Sequence, residues 1–387
     1  MKKIILVAGA RPNFMKIAPV LRAIDKKKSS LQPVLVHTGQ HYDRKMSGAF
    51  FDELGIREPE YNLEIGSGSH AVQTANIMIK FEEVCLKEKP DWVVVVGDVN
   101  STIAASLVAK KLNIGLAHIE AGLRSRDRTM PEEINRLTTD AISDLFFTTE
   151  PEGTENLISE GHSSERVHFV GHVMIDNLFF QLNRLSESLI SDSVRNLQQV
   201  LPEKYVCMTM HRPSNVDDPE ILRQLMQAVQ NISRNVPVIF PCHPRTRKNL
   251  SAFNINSETL SPDEQKEITN GLVMLDPLGY NDFLSLWKNS SVVLTDSGGL
   301  QEETTALKIP CVTMRENTER PVTASIGSNV VAGINPEKII GYVNDALGKR
   351  WKHCRIPDLW DGKASERIVD ILETCIFSRS ALTQSKR

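Results

Sequence analysis

The sequence predicts an α/β protein made of two doubly wound parallel sheets, and three observations support this prediction. Short apolar runs rich in β-branched residues alternate with amphipathic segments of helical periodicity from the start of the chain. Most of these runs are apolar at consecutive positions, which is typical of strands covered by helices on both faces. The alternation starts again after about residue 172, which indicates a second half of the same kind.

The first half, residues 1–172, is predicted to contain five strands joined by helices. The predicted strands are Ile4–Val7, Val34–His37, Trp92–Val96, Ile114–Ile119 and Leu145–Thr148. The segments with helical periodicity lie near residues 14–26, 71–88, 100–112 and 132–143. Strands and helices that alternate in this way predict a doubly wound sheet.

The second half, residues 173–362, repeats the pattern. Its predicted strands are Tyr205–Met210, Val238–Pro241, Leu272–Leu275, Val292–Thr295 and Cys311–Met314. The polar helical stretch 173–203 is the predicted connection, and residues 363–387 are predicted to form a last helix that frays after Ser378. Two Rossmann-like halves of this kind leave a cleft between the carboxyl ends of their sheets, where such folds bind ligands.

Composition excludes several classes of function. The chain has 387 residues and a net charge of −3, so it lacks the excess positive charge that is typical of nucleic-acid-binding proteins. No stretch has the length of a membrane span, and Arg11-Pro12 interrupts the short apolar start too early for a signal peptide. The six cysteines are scattered without a CxxC pair, as expected for reduced thiols of a cytoplasmic protein.

Acidic residues follow successive strands of the first half. Asp98 follows the third predicted strand, Glu120 follows the fourth, and Glu132-Glu133 open the next helix. Each has an ordinary structural explanation: Asp98 can cap a helix, Glu120 can pair with Arg124, and first-turn acids suit the helix dipole. Because the carboxyl ends of parallel strands share one edge, we expect these acids to converge where they can exchange protons with a substrate.

Arg11 and Lys16 bring two cations to the same edge. They lie in the run Gly9–Lys16, which follows the first predicted strand. An ordinary strand–helix turn with solvated basic residues explains this run equally well. Neither a complete GxGxxG pattern nor a Walker A loop is present, so no nicotinamide cofactor is predicted.

In the second half, the run Asp296–Gly299 ends an apolar strand and precedes a helix-like segment. Paired glycines admit a ligand close to the backbone, and a helix N-terminus favours an anion such as phosphate. Glu302 and Glu303 lie one turn further on, where a carboxylate can accept hydrogen bonds from sugar hydroxyls. A phosphate site beside a sugar site suggests a nucleotide sugar as the ligand.

Histidines and arginines follow three other strands of this half. His211 and His243 each end a predicted strand, and Arg315 and Arg320 follow the last one. Arginine suits bidentate phosphate contacts, and histidine can pair with a diphosphate or donate a proton to it. A hydrogen-bonded histidine at a strand end is the alternative, and for His243 it is the favoured one.

The motifs GARPNFMK, GDVNST, HIEAGLRS, MPEEINR, MHRPSN, HPRTR, TDSGGLQEE and TERP together resemble the non-hydrolysing UDP-N-acetylglucosamine 2-epimerase family. They occur in the family's order and span nearly the whole chain. The resemblance implies the GT-B architecture, with a C-terminal helix that returns to the first domain. It also implies a homodimer that acts on a UDP-sugar without metal or nicotinamide and supplies units for surface polysaccharides.

The resemblance implies a mechanism as well. A base removes the C2 proton of the sugar while the C1–O bond to UDP breaks, which leaves UDP and 2-acetamidoglucal. UDP then adds back, with a proton delivered to the opposite face of C2. The implied catalytic residues are Asp98, Glu120, Glu132 and His211. The implied substrate-binding residues are Arg11, Lys16, Arg136, His243, Phe283, Ser297, Gly298, Gly299, Glu303 and Arg320.

One departure from the family bears on regulation and on substrate. Many bacterial members carry a glutamine- and arginine-rich stretch that serves a regulatory UDP-GlcNAc site, and residues 37–46 here match it only at Gln40-His41. The same variant occurs in relatives that act on UDP-diacetamido uronic acids, so the motifs do not decide which sugar the substrate carries. A GT-B glycosyltransferase, a hydrolysing epimerase and a non-catalytic sensor of nucleotide sugars are the alternative functions.

Overall fold

The computed structural model describes residues 2–39, 48–255, 258–260 and 267–384. The chain divides into two compact units, one formed by Met1–Phe180 with Asp358–Arg387 and the other by Gln181–Pro357. Each unit is built on a parallel sheet with helices between consecutive strands. This arrangement confirms the predicted class of two doubly wound, Rossmann-like α/β units.

The first unit is built on an all-parallel sheet. Its strands are β1 (Lys2–Ala8), β2 (Leu31–His37), β3 (Tyr61–Asn62), β4 (Trp92–Val96), β5 (Gly115–Ile119), β6 (Leu145–Thr148) and β7 (Val167–Phe169). Its helices are α1 (Arg11–Lys27), α2 (Gly48–Leu54), α3 (His70–Glu88), α4 (Asn100–Lys111), α5 (Pro131–Ile142), α6 (Pro151–Ser159), α7 (Val173–Arg184) and α16 (Ala364–Gln384). The strand order is β3-β2-β1-β4-β5-β6-β7.

Both faces of this sheet are buried, which explains its continuous apolar runs. Ile4, Leu6 and Ala8 of β1 lie in one hydrophobic core together with residues of α1 and α16. Ile5 and Val7 lie in a second core together with residues of α3 and α4. Because successive side chains of a strand point to opposite faces, the buried positions of β1, Ile4 to Ala8, are all apolar.

Helix α16 belongs to the first unit because its N-terminus is bound there. The carboxylate of Asp176, on α7, accepts hydrogen bonds from the backbone N–H of Ala364 at 3.1 Å and of Ser365 at 2.6 Å. These contacts place α7 and α16 on one side of the division. The unit boundaries therefore lie at 180/181 and 357/358, rather than at the expected 172/173 and 362/363.

Further along α16, Glu373 joins the helix to the end of α1. Its carboxylate accepts hydrogen bonds from the Ser29 hydroxyl at 2.6 Å, the Ser30 N–H at 3.0 Å and Lys27 Nζ at 2.9 Å. These bonds, that from Ser29 above all, lower the pKa of Glu373 to about 2. The helix continues to Gln384, beyond the point where fraying was expected.

The stretch 173–203 is not one helix. Helix α7 ends at Arg184, a 3-10 turn covers Glu187–Leu189, and α8 covers Asp192–Val200. Ser186 and Ser191, which precede the last two, have extended backbones. Serine favours such positions before a helix over positions inside one, which explains the interruptions.

The second unit repeats the architecture. Its strands are β8 (Val206–Thr209), β9 (Pro237–Pro241), β10 (Gly271–Leu275), β11 (Val292–Thr295), β12 (Cys311–Thr313) and β13 (Asn329–Val331), in the order β10-β9-β8-β11-β12-β13. Its helices are α8, α9 (Pro213–Val216), α10 (Pro219–Ser233), α11 (Pro244–Ala252), α12 (Tyr280–Trp287), α13 (Gly298–Ala306), α14 (Pro321–Ser325) and α15 (Pro336–Leu347). All strands predicted from the sequence are present, and the short edge strands β3, β7 and β13 are additional.

Each sheet reverses its strand order once, between β1 and β4 in the first unit and between β8 and β11 in the second. Open α/β sheets bind ligands at the carboxyl ends of the strands beside such a reversal. Arg11 and Asp98 follow β1 and β4, and His211 and Ser297 follow β8 and β11. The predicted site residues therefore flank the reversal in each unit.

Among the described residues, no helix combines the length and the apolar character that a membrane span requires.

Candidate active site

Asp98 lies in the turn between β4 and α4 with its carboxylate partly accessible. Val99 is the N-cap residue of α4, so capping does not explain Asp98. Arg136 Nη2, on α5, donates a hydrogen bond to Asp98 Oδ2 at 2.5 Å, and Asn135 Nδ2 donates to the Asp98 carbonyl at 2.8 Å. With 32% of its side chain exposed, Asp98 is held in place and still open to a ligand.

Glu120 is buried directly after β5 and forms an ion pair with Lys16 Nζ. Its backbone is left-handed, with φ at 69°, and its N–H donates to the Phe147 carbonyl at 3.0 Å. Gly97, whose φ of 67° favours glycine, lies beside this pair: a Cβ there would be 3.4 Å from Lys16 Nζ and 3.7 Å from Glu120 Oε2. The first-unit cation Lys16 therefore contacts a predicted catalytic acid directly.

The expected alternative pairing of Glu120 with Arg124 is wrong. Arg124 donates to Asp140 Oδ2 at 2.8 Å and to Glu160 Oε2 at 2.6 Å. Asp140 lies inside α5 and is fully buried. The sequence offered no signal for this pairing, since Asp140 and Glu160 sit within ordinary amphipathic helical patterns.

Glu132 and Glu133, at the start of α5, have different environments. Glu133 is buried and accepts hydrogen bonds from the N–H groups of Ser125 and Arg126, both at 2.9 Å, and from Arg136 Nη1 at 3.0 Å. Burial alone would raise the pKa of Glu133, but these donors outweigh it and lower the pKa. Glu132 is exposed and has no hydrogen bond or ion pair to any residue that the structure describes. Glu133 is thus structural, and Glu132 is available to a ligand.

The other first-unit cation, Arg11, lies at the N-terminus of α1. Its guanidinium sits 5.0 Å from the centre of the Phe50 ring, and the side chain is otherwise exposed. A cation stacked on an aromatic face keeps its hydrogen-bond donors for a ligand. Lys16 and Arg136 therefore contact predicted acids directly, whereas Arg11 lies exposed at the start of α1.

In the second unit, the buried Asp296 organises the turn after β8. Its Oδ2 accepts hydrogen bonds from the backbone N–H groups of His211 and Arg212, both at 2.8 Å. Its Oδ1 lies 3.0 Å from His211 Nδ1. Asp296 thus orients the imidazole and leaves Nε2 directed away from this carboxylate. Asp296 was expected to belong to the phosphate-binding turn, but its carboxylate points back into the protein.

The glycine pair Gly298-Gly299 opens α13 and follows Ser297, the N-cap residue. Neither glycine has a positive φ. A Cβ on Gly299 would meet no described atom within 4 Å, and one on Gly298 would meet only Glu319 Oε2 at 4.0 Å. Neither backbone conformation nor packing in this unit requires glycine, so the open space at this helix N-terminus is suited to a bulky anion.

The adjacent acids Glu302 and Glu303 are both buried on α13. Glu302 forms an ion pair with Arg320 Nε, which compensates the buried negative charge of Glu302. Glu303 Oε1 accepts a hydrogen bond from the Tyr280 hydroxyl at 2.8 Å. Burial raises the pKa of Glu303 to about 7, although the Tyr280 bond opposes the shift.

Further cations lie near the start of α13. Arg315 Nη2 pairs with Glu319 Oε1 at 3.1 Å. Burial alone would raise the pKa of Glu319, but the charges of Arg315, Arg212 and Arg320 lower it. This positive cluster reaches the space beside Gly298, because Glu319 Oε2 is the atom nearest to a Cβ placed there.

His243 and Phe283 have weaker structural support as site residues. His243 Nδ1 accepts the Arg245 N–H at 3.2 Å and so caps α11, as its alternative explanation predicted. Its ring centre lies 5.8 Å from that of His211, and burial together with the charges of His211 and Arg245 lowers its pKa. Phe283 is half-buried in the first turn of α12.

Two further expectations concern other ligands. Within the described ranges, His, Cys, Asp and Glu side chains nowhere gather in threes in an arrangement that holds a metal ion. Residues 37–46 were expected to decide substrate activation, and of these Gln40–Met46 lie outside the described residues.

Comparisons with known proteins identify the family of this chain. A model of the UDP-N-acetylglucosamine 2-epimerase family matches residues 22–373. A UDP-N-acetylglucosamine 2-epimerase of Methanococcus maripaludis is 42% identical over 379 residues, which cover 96% of this chain and 98% of the relative. A UDP-2,3-diacetamido-2,3-dideoxy-D-glucuronate 2-epimerase of Pseudomonas aeruginosa is 38% identical over 96% of this chain and 99% of its own.

The fold agrees with solved structures as well. The UDP-GlcNAc 2-epimerase of Methanocaldococcus jannaschii, crystallised with UDP-GlcNAc and UDP, matches with a TM-score of 0.78 and 42% identity. That match covers 96% of this chain and 99% of the other. The chain therefore belongs to the UDP-N-acetylglucosamine 2-epimerase family.

Proposed function

We propose that this enzyme interconverts UDP-N-acetylglucosamine and UDP-N-acetylmannosamine by inverting C2 of the sugar while UDP is retained. The observation that carries the proposal is the placement of three acids, Asp98, Glu120 and Glu132, after adjacent strands of one parallel sheet. Inversion requires a proton to leave one face of C2 and another to arrive on the opposite face. A single positioned acid or base cannot serve both faces, whereas a set of carboxylates can.

The proposed reaction proceeds by elimination and addition. A carboxylate takes the C2 proton, the C2–H electron pair forms the C1=C2 bond, and the C1–O pair leaves with UDP. In the return step a UDP oxygen adds to C1, and a second acid delivers a proton to the other face of C2. In the free chain Glu120 is paired with Lys16 and Asp98 with Arg136, while Glu132 is unpaired among the described residues. We assign the proton transfers to these three acids as a group.

The second unit is proposed to hold UDP. The N-terminus of α13 beside Gly298 and Gly299, with Arg320 close by, supplies backbone donors and positive charge for a diphosphate. His211, oriented by Asp296, is proposed to stabilise the leaving diphosphate. Glu303 is proposed to accept hydrogen bonds from the ribose hydroxyls, with Phe283 beside the uracil.

UDP-GlcNAc is the proposed substrate because the relatives that are 42% identical act on it by name. The Pseudomonas aeruginosa relative, at 38% identity, supports the same chemistry on a UDP-diacetamido uronic acid as the second candidate. Incubating the enzyme with each UDP-sugar separately, without an acceptor, and identifying products by NMR tests the proposal. An equilibrium mixture of two UDP-sugars is expected. Free UDP with free ManNAc would indicate a hydrolysing epimerase, and turnover only with an acceptor would indicate a glycosyltransferase.

We also propose that the enzyme is a homodimer that forms through α3. Val72, Ile79 and Leu86 recur every seven residues along this helix and are 55%, 61% and 58% exposed. Residues seven apart lie on one face of a helix, so they form an apolar stripe. A second copy of the chain offers the same stripe, and a two-fold axis would bring both together.

The cellular role follows from the proposed product. UDP-N-acetylmannosamine is a precursor for surface polysaccharides, and we propose that the enzyme supplies it. All six cysteines are free thiols, which supports a reducing, cytoplasmic location.

A further inference from the structure

We propose that His118 and Asp140 are positioning residues that fix the three proton-transferring acids relative to one another. This inference rests on the proposed epimerisation and deepens it, because it names residues that never touch the substrate. Neither residue was predicted from the sequence to have a role. Both are fully buried, with no side-chain exposure for His118 and 1% for Asp140.

Asp140 is joined to all three chain segments that carry the acids. It lies on α5, two turns after Glu132 and one turn after Arg136, the partner of Asp98. Because one helix carries Glu132, Arg136 and Asp140, fixing Asp140 in the core also fixes the position of the other two. Its two carboxylate oxygens reach the other two segments, one oxygen for each.

The first oxygen reaches the Asp98 turn through His118. Asp140 Oδ1 lies 2.6 Å from His118 Nδ1, and His118 Nε2 lies 2.9 Å from the Gly97 carbonyl. Gly97 has φ at 67° and directly precedes Asp98. The imidazole therefore fixes the peptide from which the Asp98 side chain projects.

The second oxygen reaches the Glu120 turn. Asp140 Oδ2 accepts a hydrogen bond from the Gly122 N–H at 3.1 Å and is 2.8 Å from Arg124 Nη1. The backbone of this turn packs closely against the Gly153 backbone: a Cβ on Gly122 would lie 2.1 Å from the Gly153 carbonyl oxygen. The Asp140 carboxylate thus fixes the backbone of the turn that follows Glu120, whose own backbone is left-handed.

The hydrogen-bond partners also define the charges of the network. The Gly97 carbonyl and the Asp140 carboxylate both accept, so each ring nitrogen of His118 must carry a hydrogen. Burial would raise the pKa of Asp140, but the charges of His118 and Arg124 outweigh it and lower the pKa. Arg124 is balanced in turn by Glu160 at 2.6 Å. Two cations thus face two carboxylates, of which Glu160 lies at the surface, and this pairing offsets the cost of burying the charges of His118, Arg124 and Asp140.

A network that sets the positions of reacting groups affects turnover more than binding. A displacement of about 1 Å in a reacting group can cost on the order of 10²-fold in rate. The UDP moiety is assigned to the other unit, so its affinity does not depend on His118. We therefore expect a loss in kcat with little change in KM.

Two substitutions of His118 separate its two hydrogen bonds. In His118→Asn the amide nitrogen replaces Nδ1, which keeps the bond to Asp140 and loses the bond to Gly97. In His118→Gln the amide nitrogen replaces Nε2, which keeps the bond to Gly97 and loses the bond to Asp140. Asp144→Asn is the control: this half-buried carboxylate accepts hydrogen bonds from Lys110 Nζ at 2.7 Å and from the Leu116 N–H at 2.9 Å, at the opposite end of β5.

The experiment measures kcat and KM for UDP-GlcNAc epimerisation, and the melting temperature, for the full-length enzyme and each variant. We expect His118→Asn to lower kcat about 10²-fold with KM within about twofold, and His118→Gln to recover at least about tenfold of that loss. Asp144→Asn should lose melting temperature but keep wild-type kcat. Equal kcat losses in both His118 variants and in Asp144→Asn would overturn the inference, because they would reflect stability alone, and so would wild-type kcat in His118→Asn.

A second measurement tests the geometry without activity. Proton NMR of the wild-type enzyme with labelled histidine should show two slowly exchanging ring N–H signals that His118→Gln removes. A single ring N–H for His118 would overturn the assigned network. A wild-type enzyme that gives both signals but no epimerisation would instead overturn the proposed function.

Discussion

Replacing Glu303 by glutamine should stabilise the protein and weaken UDP binding at the same time. Glu303 is buried on α13, and its pKa is raised from an ordinary value near 4.5 to about 7. Below about pH 4.5 the carboxyl group is neutral in both the folded and the unfolded chain. Between that pH and about 7 only the unfolded chain ionises it, so the wild-type protein loses stability as the pH rises. Glutamine cannot ionise and escapes this loss.

The size of the effect follows from the shift. One pKa unit corresponds to about 1.4 kcal/mol, so the whole shift is worth about 3.4 kcal/mol, of which the wild-type protein should lose about 2.5 kcal/mol relative to Glu303→Gln between pH 5 and pH 8. A carboxylate that accepts ribose hydroxyls contributes about 1.5–3 kcal/mol, so UDP should bind Glu303→Gln about 10- to 100-fold more weakly. A substitution that raises stability but lowers ligand affinity indicates that the original residue serves ligand binding rather than folding.

Chemical denaturation at pH 5 and pH 8, followed in the second unit, together with calorimetric titration of UDP, tests this prediction. Glu302→Gln is the matched control, because it removes the ion pair with Arg320 and should destabilise the protein at both pH values. A stability difference between Glu303→Gln and wild type that does not change with pH would refute the assigned burial effect. Unchanged UDP affinity would refute the ribose contact.

Three other predictions concern turnover, stability and assembly. Asp98→Asn, Glu120→Gln and Glu132→Gln should each lower epimerisation by about 10²–10⁴-fold and spare UDP binding, and wild-type rates in all three would contradict the assignment. Glu373→Gln should cost about 1 kcal/mol at pH 7 by urea denaturation. Because the pKa of Glu373 is lowered to about 2, this cost should shrink as the pH falls from about 4.5 towards 2, and a pH-independent cost would count against it. Ile79→Lys should give a monomer by light scattering, whereas an unchanged oligomer would place the interface elsewhere.

The strand pattern and the ends of the strands could be predicted from the sequence because both are local. Apolar runs buried on two faces mark β4 and β5, and the residue after each run is then known to lie at the carboxyl edge. Asp98 and Glu120 were found in this way. The edge strands β3, β7 and β13 have only two or three residues each, too few for a periodic signal.

The pairings within the site could not be predicted, because they depend on contacts distant in the chain. Lys16 reaches Glu120 from a helix 104 positions earlier, and no local pattern marks that contact. Asp140 looks like any polar position of an amphipathic helix until its burial is known. The contacts of Asp296 with His211 and Arg212 were not predicted for the same reason, since they join residues 84 and 85 positions apart.

In the proposed reaction the three acids exchange a proton at C2 while the sugar returns to UDP. Proton NMR of UDP-GlcNAc with the enzyme in heavy water measures this directly. We expect deuterium to appear at C2 of both UDP-GlcNAc and UDP-ManNAc, with no accumulation of free UDP, and we expect Glu120→Gln to abolish the exchange. Epimerisation without deuterium at C2, or binding of the UDP-sugar with neither exchange nor epimerisation, would contradict the proposed reaction.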